Sequence, residues 1–299
     1  MQPSFQNVIQ SFDIKSWNPN LTSADTDKIA LTLEQGAVIY LPELNFMLLD
    51  DEKKFYSPHW LNGKRKNISL EGYEVRGATG TPEDLAQMSA MITRYSNQAT
   101  LLIHTLFPNY ASYLNTARTS YRPNLVGAEV ARSWKKDDSR LHIDAFPSRP
   151  NYGERILRVF TNINTDNVPR VWRVGEAFEN AAKYFLPYIK KPLLGSSFIL
   201  HALKITKRKR SEYDHIMLHL HDNMKAEIKY QKNAPQQTVK FEPGSTWICF
   251  SDQVLHAAMS GQYMLEQTFH LPIDGQYHPE HSPLHILEKL LQRQLVKPK

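Results

Sequence analysis

Two histidines and one aspartate in this chain have the residue types and the spacing of a metal site. His142 and Asp144 form a His-x-Asp pair, and His256 follows far downstream. Along an extended strand, alternation points the side chains of His142 and Asp144 to the same face. Two imidazoles and one carboxylate form a facial triad, which binds iron(II) and leaves coordination positions open. The sequence therefore predicts an iron(II) centre in which these three residues are the metal ligands and the catalytic residues.

The third ligand is so distant in sequence that it must come from a second strand folded back beside the first. His256 follows residues 244–252, which have the pattern of a turn, an apolar strand and a polar end. In a chain with 12 histidines, a His-x-Asp pair followed by another histidine is a weak signal, because it can arise by chance. The strand context therefore provides much of the support for a metal site. The arrangement resembles the double-stranded β-helix of 2-oxoglutarate/iron(II) oxygenases.

That resemblance implies 2-oxoglutarate and O2 as cosubstrates, and the distal carboxylate of 2-oxoglutarate needs a cation. Many such enzymes place the cation shortly after the distal histidine, where this chain has Glu266 and Gln267. Another known arrangement uses the strand after the His-x-Asp pair. Arg158 fits it, because a guanidinium can hold a carboxylate with two parallel hydrogen bonds. Arg155 is the main alternative, and Asn162, on the same strand face as Arg158, is predicted to share in cosubstrate binding.

A rival metal site is present in the second half of the chain. His215, His219 and Asp222 fall at i, i+4 and i+7, on one face of a predicted helix, and such spacing can bind zinc. A zinc-peptidase helix would place a glutamate directly after the first histidine, and this chain has Ile216 there. A solvated or packed helix face is the plain alternative. As a functional residue, His215 is predicted to contact substrate.

Helix and strand patterns alternate along the chain. Thr81-Pro82 begins a helix, with Thr81 as N-cap, and Ser211 caps another with Asp214 at N3. Strand patterns surround the His-x-Asp pair and return before His256. The prediction is an α+β protein with a jelly-roll core. We expect one domain over 1–299, with the core at about 120–275, N-terminal strands and a helical layer over 1–119, and a C-terminal amphipathic helix over 282–296.

Composition narrows the class of protein. The chain has 299 residues, a formal net charge of +6 and a single cysteine, Cys249, which excludes internal disulfides and cysteine-rich zinc sites. Residues 1–6 show no signal-peptide pattern, and no apolar run approaches the ~20 residues of a membrane span. We therefore expect a cytoplasmic protein. The positive charge suits an acidic substrate or an anionic membrane surface. Neither a nucleic-acid partner nor a protein partner is predicted.

Longer sequence blocks carry a more specific resemblance. They read HIDAFPSRP at 142–150, GERILRVFTNIN at 153–164, PRVWRVGE at 169–176, YDH at 213–215, LHD at 220–222 and SDQVLHAA at 251–258. These blocks closely resemble the family of 3-deoxy-D-manno-oct-2-ulosonic acid (Kdo) hydroxylases. The match is strongest over about 125–270, and residues 1–75 carry no motif of the family.

The family resemblance implies a dioxygenase that depends on iron(II), 2-oxoglutarate and O2. It implies hydroxylation of the 3-position of Kdo, with Kdo-modified lipid A as substrate at the cytoplasmic face of a Gram-negative inner membrane. The metal ligands of the family carry over onto His142, Asp144 and His256. Arg149 and Arg155 follow two of the ligands closely and are predicted to meet the Kdo carboxylate. Spacing and composition support the oxygenase, and the resemblance alone supplies the sugar.

Two further expectations concern the membrane and the alternatives. The C-terminal leucines form one apolar stripe with cations around it, which fits either the membrane interface or packing on the core. The stripe is Leu284, Leu287, Leu291 and Leu295, and the cations are Lys289, Arg293, Lys297 and Lys299. The basic runs 64–66 and 204–210 suit a substrate with carboxylates and phosphates. An oxygenase with another small-molecule or protein substrate, or a jelly-roll protein that binds metal without turnover, remains open.

Overall fold

The fold consists of eleven strands and seven α-helices in a computed structural model that describes residues 8–63, 65–127, 133–192 and 196–297, without the side chains of 196, 199 and 200. In chain order the elements are β1 (Ile9–Ser11), α1 (Ser23–Glu34), β2 (Val38–Leu41), β3 (Ile68–Glu71), β4 (Glu74–Arg76), α2 (Pro82–Leu106), β5 (Asn115–Arg122), β6 (Arg155–Asn162), β7 (Arg170–Gly175), α3 (Phe178–Phe185), α4 (Ser196–Ala202), α5 (Glu212–Ala226), α6 (Ile228–Asn233), β8 (Gln236–Phe241), β9 (Thr246–Phe250), β10 (His256–Ser260), β11 (Met264–Leu271) and α7 (Pro283–Leu291).

The strands form two sheets. The larger has eight strands in the order β1-β2-β9-β6-β11-β5-β3-β4, and the smaller has three in the order β10-β7-β8. Every pairing is antiparallel except that of β1 with β2. Strands adjacent in a sheet are often distant in sequence, as with β6 between β9 and β11. This topology is consistent with the predicted α+β jelly-roll core.

An aromatic cluster fills the space between the two sheets. Phe160 and Trp247 come from the larger sheet, and Trp172 and Phe241 come from the smaller one. Phe241 stacks on Trp247 with 4.1 Å between ring centroids, and Trp172 meets Trp247 edge-on at 5.5 Å. Large aromatic rings bury much apolar area, so these contacts help to hold the small sheet over the large one.

Helices α1 and α2 cover the outer face of the larger sheet. Leu33 of α1 and Leu106 of α2 are fully buried in one cluster with Leu157 and Val159 of β6. The Tyr95 hydroxyl of α2 also donates to the Val159 carbonyl at 3.1 Å. This cluster joins the N-terminal third of the chain to strands from its second half, and we therefore propose that the chain forms one domain.

The C-terminal leucine stripe is part of the core. Leu287 is fully buried, and Leu284 and Leu295 are nearly so, in a cluster with α3, α5 and residues of the His-x-Asp segment. Of the two interpretations of this stripe, packing on the core is the one that the structure supports, because the apolar face of the helix is covered by protein. The helix is also shorter than predicted and ends at Leu291. None of the helices in the described ranges is long and apolar enough to cross a membrane.

Local sequence signals predicted the helix starts well. Thr81 and Ser211 each form a capping box, with Asp84 and Asp214 respectively. β8 begins at Gln236, within a polar stretch of the sequence, and pairs with β7. Cys249 is fully buried on β9, as expected for a small core residue. The expectations for residues 1–6, Lys64 and Lys299 lie outside the described residues.

Candidate metal centre

The three predicted metal ligands come together at one end of the smaller sheet. His142 and His256 exchange backbone hydrogen bonds of 3.0 and 2.8 Å, and the Asp144 amide donates to the Ser251 carbonyl at 2.8 Å. One ligand atom from each of the three residues lies within 4.8 Å of the others. Among the described residues no other histidine, cysteine or carboxylate group of three has this geometry.

The His-x-Asp segment is not the regular strand that alternation suggested. His142 makes an isolated bridge to His256, and Asp144 lies outside any strand. Hydrogen bonds to His256 and Ser251 nevertheless hold both residues beside the ends of β10 and β9. The three ligands therefore lie close together as predicted. Backbone hydrogen bonds to His256 and Ser251 position them, and not a continuous β-ladder.

Both histidines are prepared to ligate through Nε2. The Nδ1 atom of His142 lies 2.7 Å from the Arg140 carbonyl, and that of His256 lies 2.8 Å from the Val254 carbonyl. A carbonyl only accepts, so each Nδ1 carries the proton and each Nε2 keeps its lone pair. Burial lowers the pKa of His142 to about 3 and also lowers that of His256. Both rings are therefore neutral, as metal binding requires.

Asp144 supplies an ionised carboxylate to the same point. Burial alone would raise the pKa of Asp144, but the charge of Arg158, whose guanidinium lies 3.0 Å away, holds it well below its usual range. Two neutral imidazoles and one carboxylate, with their donor atoms close together, fit an iron(II) ion bound by a facial triad. The residues present therefore fit the metal that the sequence predicts.

Two aromatic side chains that sequence reasoning missed surround the histidines. The Trp172 indole of β7 stacks on His256, with 5.2 Å between centroids and 25° between planes. His221 of α5 meets His142 edge-on at 5.4 Å. Such contacts limit water access and fix ring orientation around a metal. Both residues stand within blocks that carry the family resemblance, PRVWRVGE at 169–176 and LHD at 220–222, but only the packing of α5 beside the His-x-Asp segment shows that His221 contacts His142.

Arg158 lies beside the metal ligands, as the alternation of β6 predicted. Its guanidinium contacts Asp144 on one side and Glu266 on the other, at 3.0 and 2.6 Å. Arg122 binds the second oxygen of Glu266 at 2.8 Å. Glu266 therefore binds two arginines at the site. In the sequence it stood only at a position where related oxygenases have a cation. The Arg158 Nε has no hydrogen-bond partner among the described residues, which leaves one donor for an anion.

Further cations stand on the other side of His142. Lys225 is only 2% exposed, and its ammonium donates to the Lys135 carbonyl at 3.0 Å and lies 3.5 Å from Asp138. Lys66 pairs with Asp138 at 3.2 Å. Arg170 of β7 is buried, and burial lowers its pKa to about 9. Lys66 belongs to the basic run 64–66 noted in the sequence, whereas no sequence pattern identified Lys225 or Arg170 as a site residue, because the three cations come from three separate parts of the chain.

Arg155 lies on the opposite face of β6 and cannot contact substrate. Its side chain is fully buried over the Phe250 ring, and its guanidinium pairs with Asp252 at 2.8 Å. Its other two nitrogens donate to Gln253 and Gln276. We therefore correct two predictions, that Arg155 meets the Kdo carboxylate and that it is the alternative anchor for 2-oxoglutarate. A residue three positions from Arg158 on a strand points away from it.

We expect Arg155→Ala to destabilise the protein by about 3–5 kcal/mol, because the change leaves Asp252 as a buried carboxylate without its cation. Urea unfolding followed by circular dichroism measures the loss of unfolding free energy. Arg149→Ala serves as the control, since Arg149 is exposed and should change stability by no more than about 0.5 kcal/mol. An Arg155→Ala protein of full stability that had lost substrate binding would restore the original prediction.

Asn162 is a structural residue rather than a cosubstrate ligand. Its side-chain amide donates to the carbonyls of Phe241 and Val168, at 3.0 and 3.2 Å, and its side-chain oxygen accepts from the Asn164 amide at 3.1 Å. At a rise of about 3.3 Å per residue, it stands roughly 13 Å along the strand from Arg158. The predicted contact with 2-oxoglutarate is therefore corrected, because the amide already binds three backbone groups.

A cleft opens on the solvent side of Asp144. Its walls include Phe146, Arg149 and Arg210 as well as Asp144 itself. Arg149 lines the same cleft as Asp144, and its contact with substrate stays a prediction. Arg210 joins it from the end of the basic run, fixed by a hydrogen bond of 2.6 Å to the Pro147 carbonyl. The cleft thus combines an approach to the metal ligands with two guanidinium groups.

His215 lies away from this cleft and away from the metal ligands. Its Nε2 is 2.8 Å from the Lys190 carbonyl, and its ring lies 4.3 Å from that of His219. Asp222 turns instead to Lys135 and His221. His215 does not line the cleft, and its Nε2 is bound by a backbone carbonyl, so its contact with substrate stays a prediction. The three residues of the rival zinc site also do not converge on one point.

Comparisons with known proteins agree on one family. A family model described as 3-deoxy-D-manno-oct-2-ulosonic acid (Kdo) hydroxylase matches residues 16–294. A solved Kdo hydroxylase, described as a non-heme Fe(II) α-ketoglutarate-dependent dioxygenase in complex with α-ketoglutarate and Fe(III), is 48% identical, with a TM-score of 0.92 and coverage of 96% of this chain and 97% of that one.

Two further structures described as the same enzyme give similar values. Its cobalt(II) complex is 48% identical, with a TM-score of 0.93 and coverage of 97% and 98% of the two chains. Its apo structure is 48% identical, with a TM-score of 0.92 and coverage of 96% and 97%. Among curated proteins, no match was found.

Proposed function

We propose, from the premise that this chain belongs to the Kdo hydroxylase family, that it hydroxylates the 3-position of Kdo with iron(II), 2-oxoglutarate and O2. The family match confirms the predicted enzyme class, an iron(II)/2-oxoglutarate-dependent dioxygenase with a jelly-roll core. The observation that carries the proposal is the meeting of His142, Asp144 and His256 within 4.8 Å, with the histidines neutral and the aspartate ionised.

The protein residues divide the work at this centre. Iron(II) bound there supplies, with O2 and 2-oxoglutarate, the oxidation of a C–H bond to an alcohol as the oxo acid loses CO2 and becomes succinate. His142 and His256 present Nε2 because their Nδ1 protons are held by backbone carbonyls. Asp144 adds the negative charge that iron(II) favours. Trp172 shields His256 and keeps bulk water from that side of the centre.

Arg158 is our proposed anchor for the distal carboxylate of 2-oxoglutarate. It lies on the inward face of β6 beside Asp144, and its side chain is 13% exposed. Its planar guanidinium presents several donors, of which Asp144 and Glu266 occupy only part. A dianionic cosubstrate entering here would also be near Arg122 of β5, which shares Glu266 with Arg158, and near Arg170 of β7, whose charge interacts with that of Arg122.

The acceptor is proposed to be Kdo attached to lipid A, approached from an anionic membrane surface on the cytoplasmic side. The cleft beside Asp144 carries Arg149 and Arg210. Two guanidinium groups suit a sugar acid and the phosphates near it, because arginine recognises both carboxylate and phosphate. The absence of carboxylates among the exposed groups of residues 203–210 further favours an anionic substrate at this mouth.

The test is oxygen transfer to a defined acceptor. Purified protein supplied with iron(II), 2-oxoglutarate and O2 is expected to add one oxygen atom to Kdo-lipid A and to release one CO2 for each product. Mass spectrometry of the acceptor measures the gain, and fragmentation locates it on Kdo. A control with Asp144→Ala, which removes the anionic ligand, should give neither product. Turnover of 2-oxoglutarate without any change in the acceptor would reject this substrate.

A further inference from the structure

Exposed apolar side chains are concentrated in the described residues 184–192 and 196–210, which we call the basic lobe. Tyr188, Phe198 and Leu203 expose between 60 and 68% of their surface, and Tyr184 and Ile205 expose about half. Large apolar side chains scattered singly on a surface need no explanation, whereas a cluster of them marks an interaction site. The lobe is therefore a candidate contact surface that the catalytic site does not explain.

The basic lobe also carries the net charge of the whole protein. Residues 184–210 contain seven lysines and arginines and no aspartate or glutamate, while the entire chain has a net charge of +6. Everything outside the lobe is therefore close to neutral. Six of the seven cations are exposed and form no ion pair with a carboxylate in the described ranges: Lys190, Lys191, Lys204, Lys207, Arg208 and Lys209. Lys209 lies over the Phe198 ring at 5.1 Å, so charges and apolar groups are interleaved.

The lobe is fixed beside the mouth of the metal centre. The Lys190 carbonyl is held by His215 of α5, and the Ser197 hydroxyl donates to the Arg210 carbonyl at 2.8 Å. The Lys207 amide donates to the Ser148 carbonyl at 3.0 Å. Arg210 itself lines the cleft next to Asp144. Whatever binds the lobe is therefore held next to the cleft that the metal ligand Asp144 lines.

We propose that the basic lobe is the surface by which this protein docks on an anionic lipid bilayer. Lysine and arginine side chains meet lipid phosphates while aromatic and aliphatic groups enter the headgroup region, and both contributions are needed for stable peripheral binding. Charge complementarity selects this occupant, because every charged side chain of the lobe is a cation and the cations stand among exposed apolar groups. The C-terminal helix cannot serve this purpose, since its leucines are buried. Docking of the lobe on a bilayer does not depend on the proposed function. Only the explanation of why this surface lies next to the cleft rests on that function.

The test is co-sedimentation of the full-length protein with vesicles. Wild-type protein is expected to bind vesicles of phosphatidylcholine with phosphatidylglycerol, and to bind pure phosphatidylcholine at least tenfold more weakly. Binding should also fall in ~0.5 M salt, because the screening length shrinks to a few ångströms. Each basic residue near an anionic surface contributes roughly a fivefold change in affinity. Four lysine-to-glutamine changes in the lobe should therefore weaken binding more than tenfold: Lys190→Gln, Lys191→Gln, Lys204→Gln and Lys207→Gln.

A matched variant separates the lobe from total charge. It removes four exposed lysines elsewhere, none of them in an ion pair of the described structure: Lys28→Gln, Lys229→Gln, Lys232→Gln and Lys240→Gln. This control is expected to keep most of the binding. A second lobe variant keeps the charge and removes apolar surface: Tyr188→Ser, Phe198→Ser, Leu203→Ser and Ile205→Ser. It should also bind more weakly, and all side chains involved are exposed, so folding should be unchanged by circular dichroism.

Equal loss of binding in the lobe lysine variant and its control would overturn the proposal, since total charge would then explain the attraction. Full binding by both lobe variants would overturn it as well. The vesicles contain no Kdo, so their result does not depend on the acceptor. If the protein docks through the lobe but does not oxidise Kdo-lipid A, the proposed function is wrong and the docking surface stands. If it oxidises Kdo-lipid A but does not dock through the lobe, the docking surface is wrong and the proposed function stands.

Discussion

Replacement of His256 by alanine is expected to abolish 2-oxoglutarate turnover and to remove bound iron(II). The change deletes one of three ligands, whereas loss of a mere supporting hydrogen bond to a ligand already costs roughly 10–100-fold in metal affinity or activity. We therefore expect a loss of more than about a hundredfold in both. Iron content after reconstitution and CO2 release from 2-oxoglutarate measure the two effects. His142→Ala and Asp144→Ala should behave in the same way.

The control is His215→Ala, which removes a histidine that lies on the N-terminal half of α5 and binds a backbone carbonyl. It should keep its full iron content. Circular dichroism must show that each variant retains its fold, because both ligand histidines are buried and only a folded variant tests the metal assignment. Full activity in His256→Ala would refute the metal assignment, and loss of iron in His215→Ala would reopen the rival site.

Replacement of Arg158 by alanine is expected to raise the 2-oxoglutarate concentration needed for half-maximal rate much more than the acceptor concentration. Loss of a charge-assisted contact to a carboxylate costs about 2–4 kcal/mol, which corresponds to roughly 30- to 1,000-fold. Steady-state kinetics with each substrate varied in turn measures the two requirements. Arg158→Lys should fall between wild type and alanine, because a lysine keeps the charge but not the planar pair of donors.

Iron binding must be measured in the same variants, since Arg158 also lies 3.0 Å from the metal ligand Asp144. A large change in iron affinity alone would show that Arg158 acts by holding Asp144. Arg173→Ala is the matched control, as Arg173 is a half-buried arginine bound to the Ser139 carbonyl and should leave the requirement for 2-oxoglutarate unchanged. If Arg170→Ala raises that requirement and Arg158→Ala does not, the anchor lies on β7.

Features that depend on residues close together in the chain could be predicted from the sequence. The capping boxes at Thr81 and Ser211 each involve a carboxylate three positions away, so their helix starts were predictable. Alternation along β6 likewise predicted that Arg158 faces inward, and the same rule places Arg155 on the other face. The ligands His142, Asp144 and His256 were identified from residue types, strand context and the family resemblance.

The tertiary structure alone decided which distant groups meet. Arg155 and Arg158 have the same chemistry but different surroundings, because the two faces of β6 pack against different layers. Arg155 is buried in an ion pair with Asp252, whereas Arg158 contacts the metal ligand Asp144. The proximity of His221 to His142 depends on how α5 packs against the His-x-Asp segment. Neither contact leaves a local pattern in the sequence.

The leucine stripe of α7 shows, within one helix, what is predictable from sequence and what is not. Its apolar period was visible in the sequence, and it fitted either a membrane surface or a protein core. The choice depended on whether another apolar surface was available, and α3, α5 and the His-x-Asp segment supply one. The exposed apolar groups of the basic lobe found no such cover. A side chain's own sequence neighbours set its periodicity, but burial is set by surfaces that only the folded chain brings together.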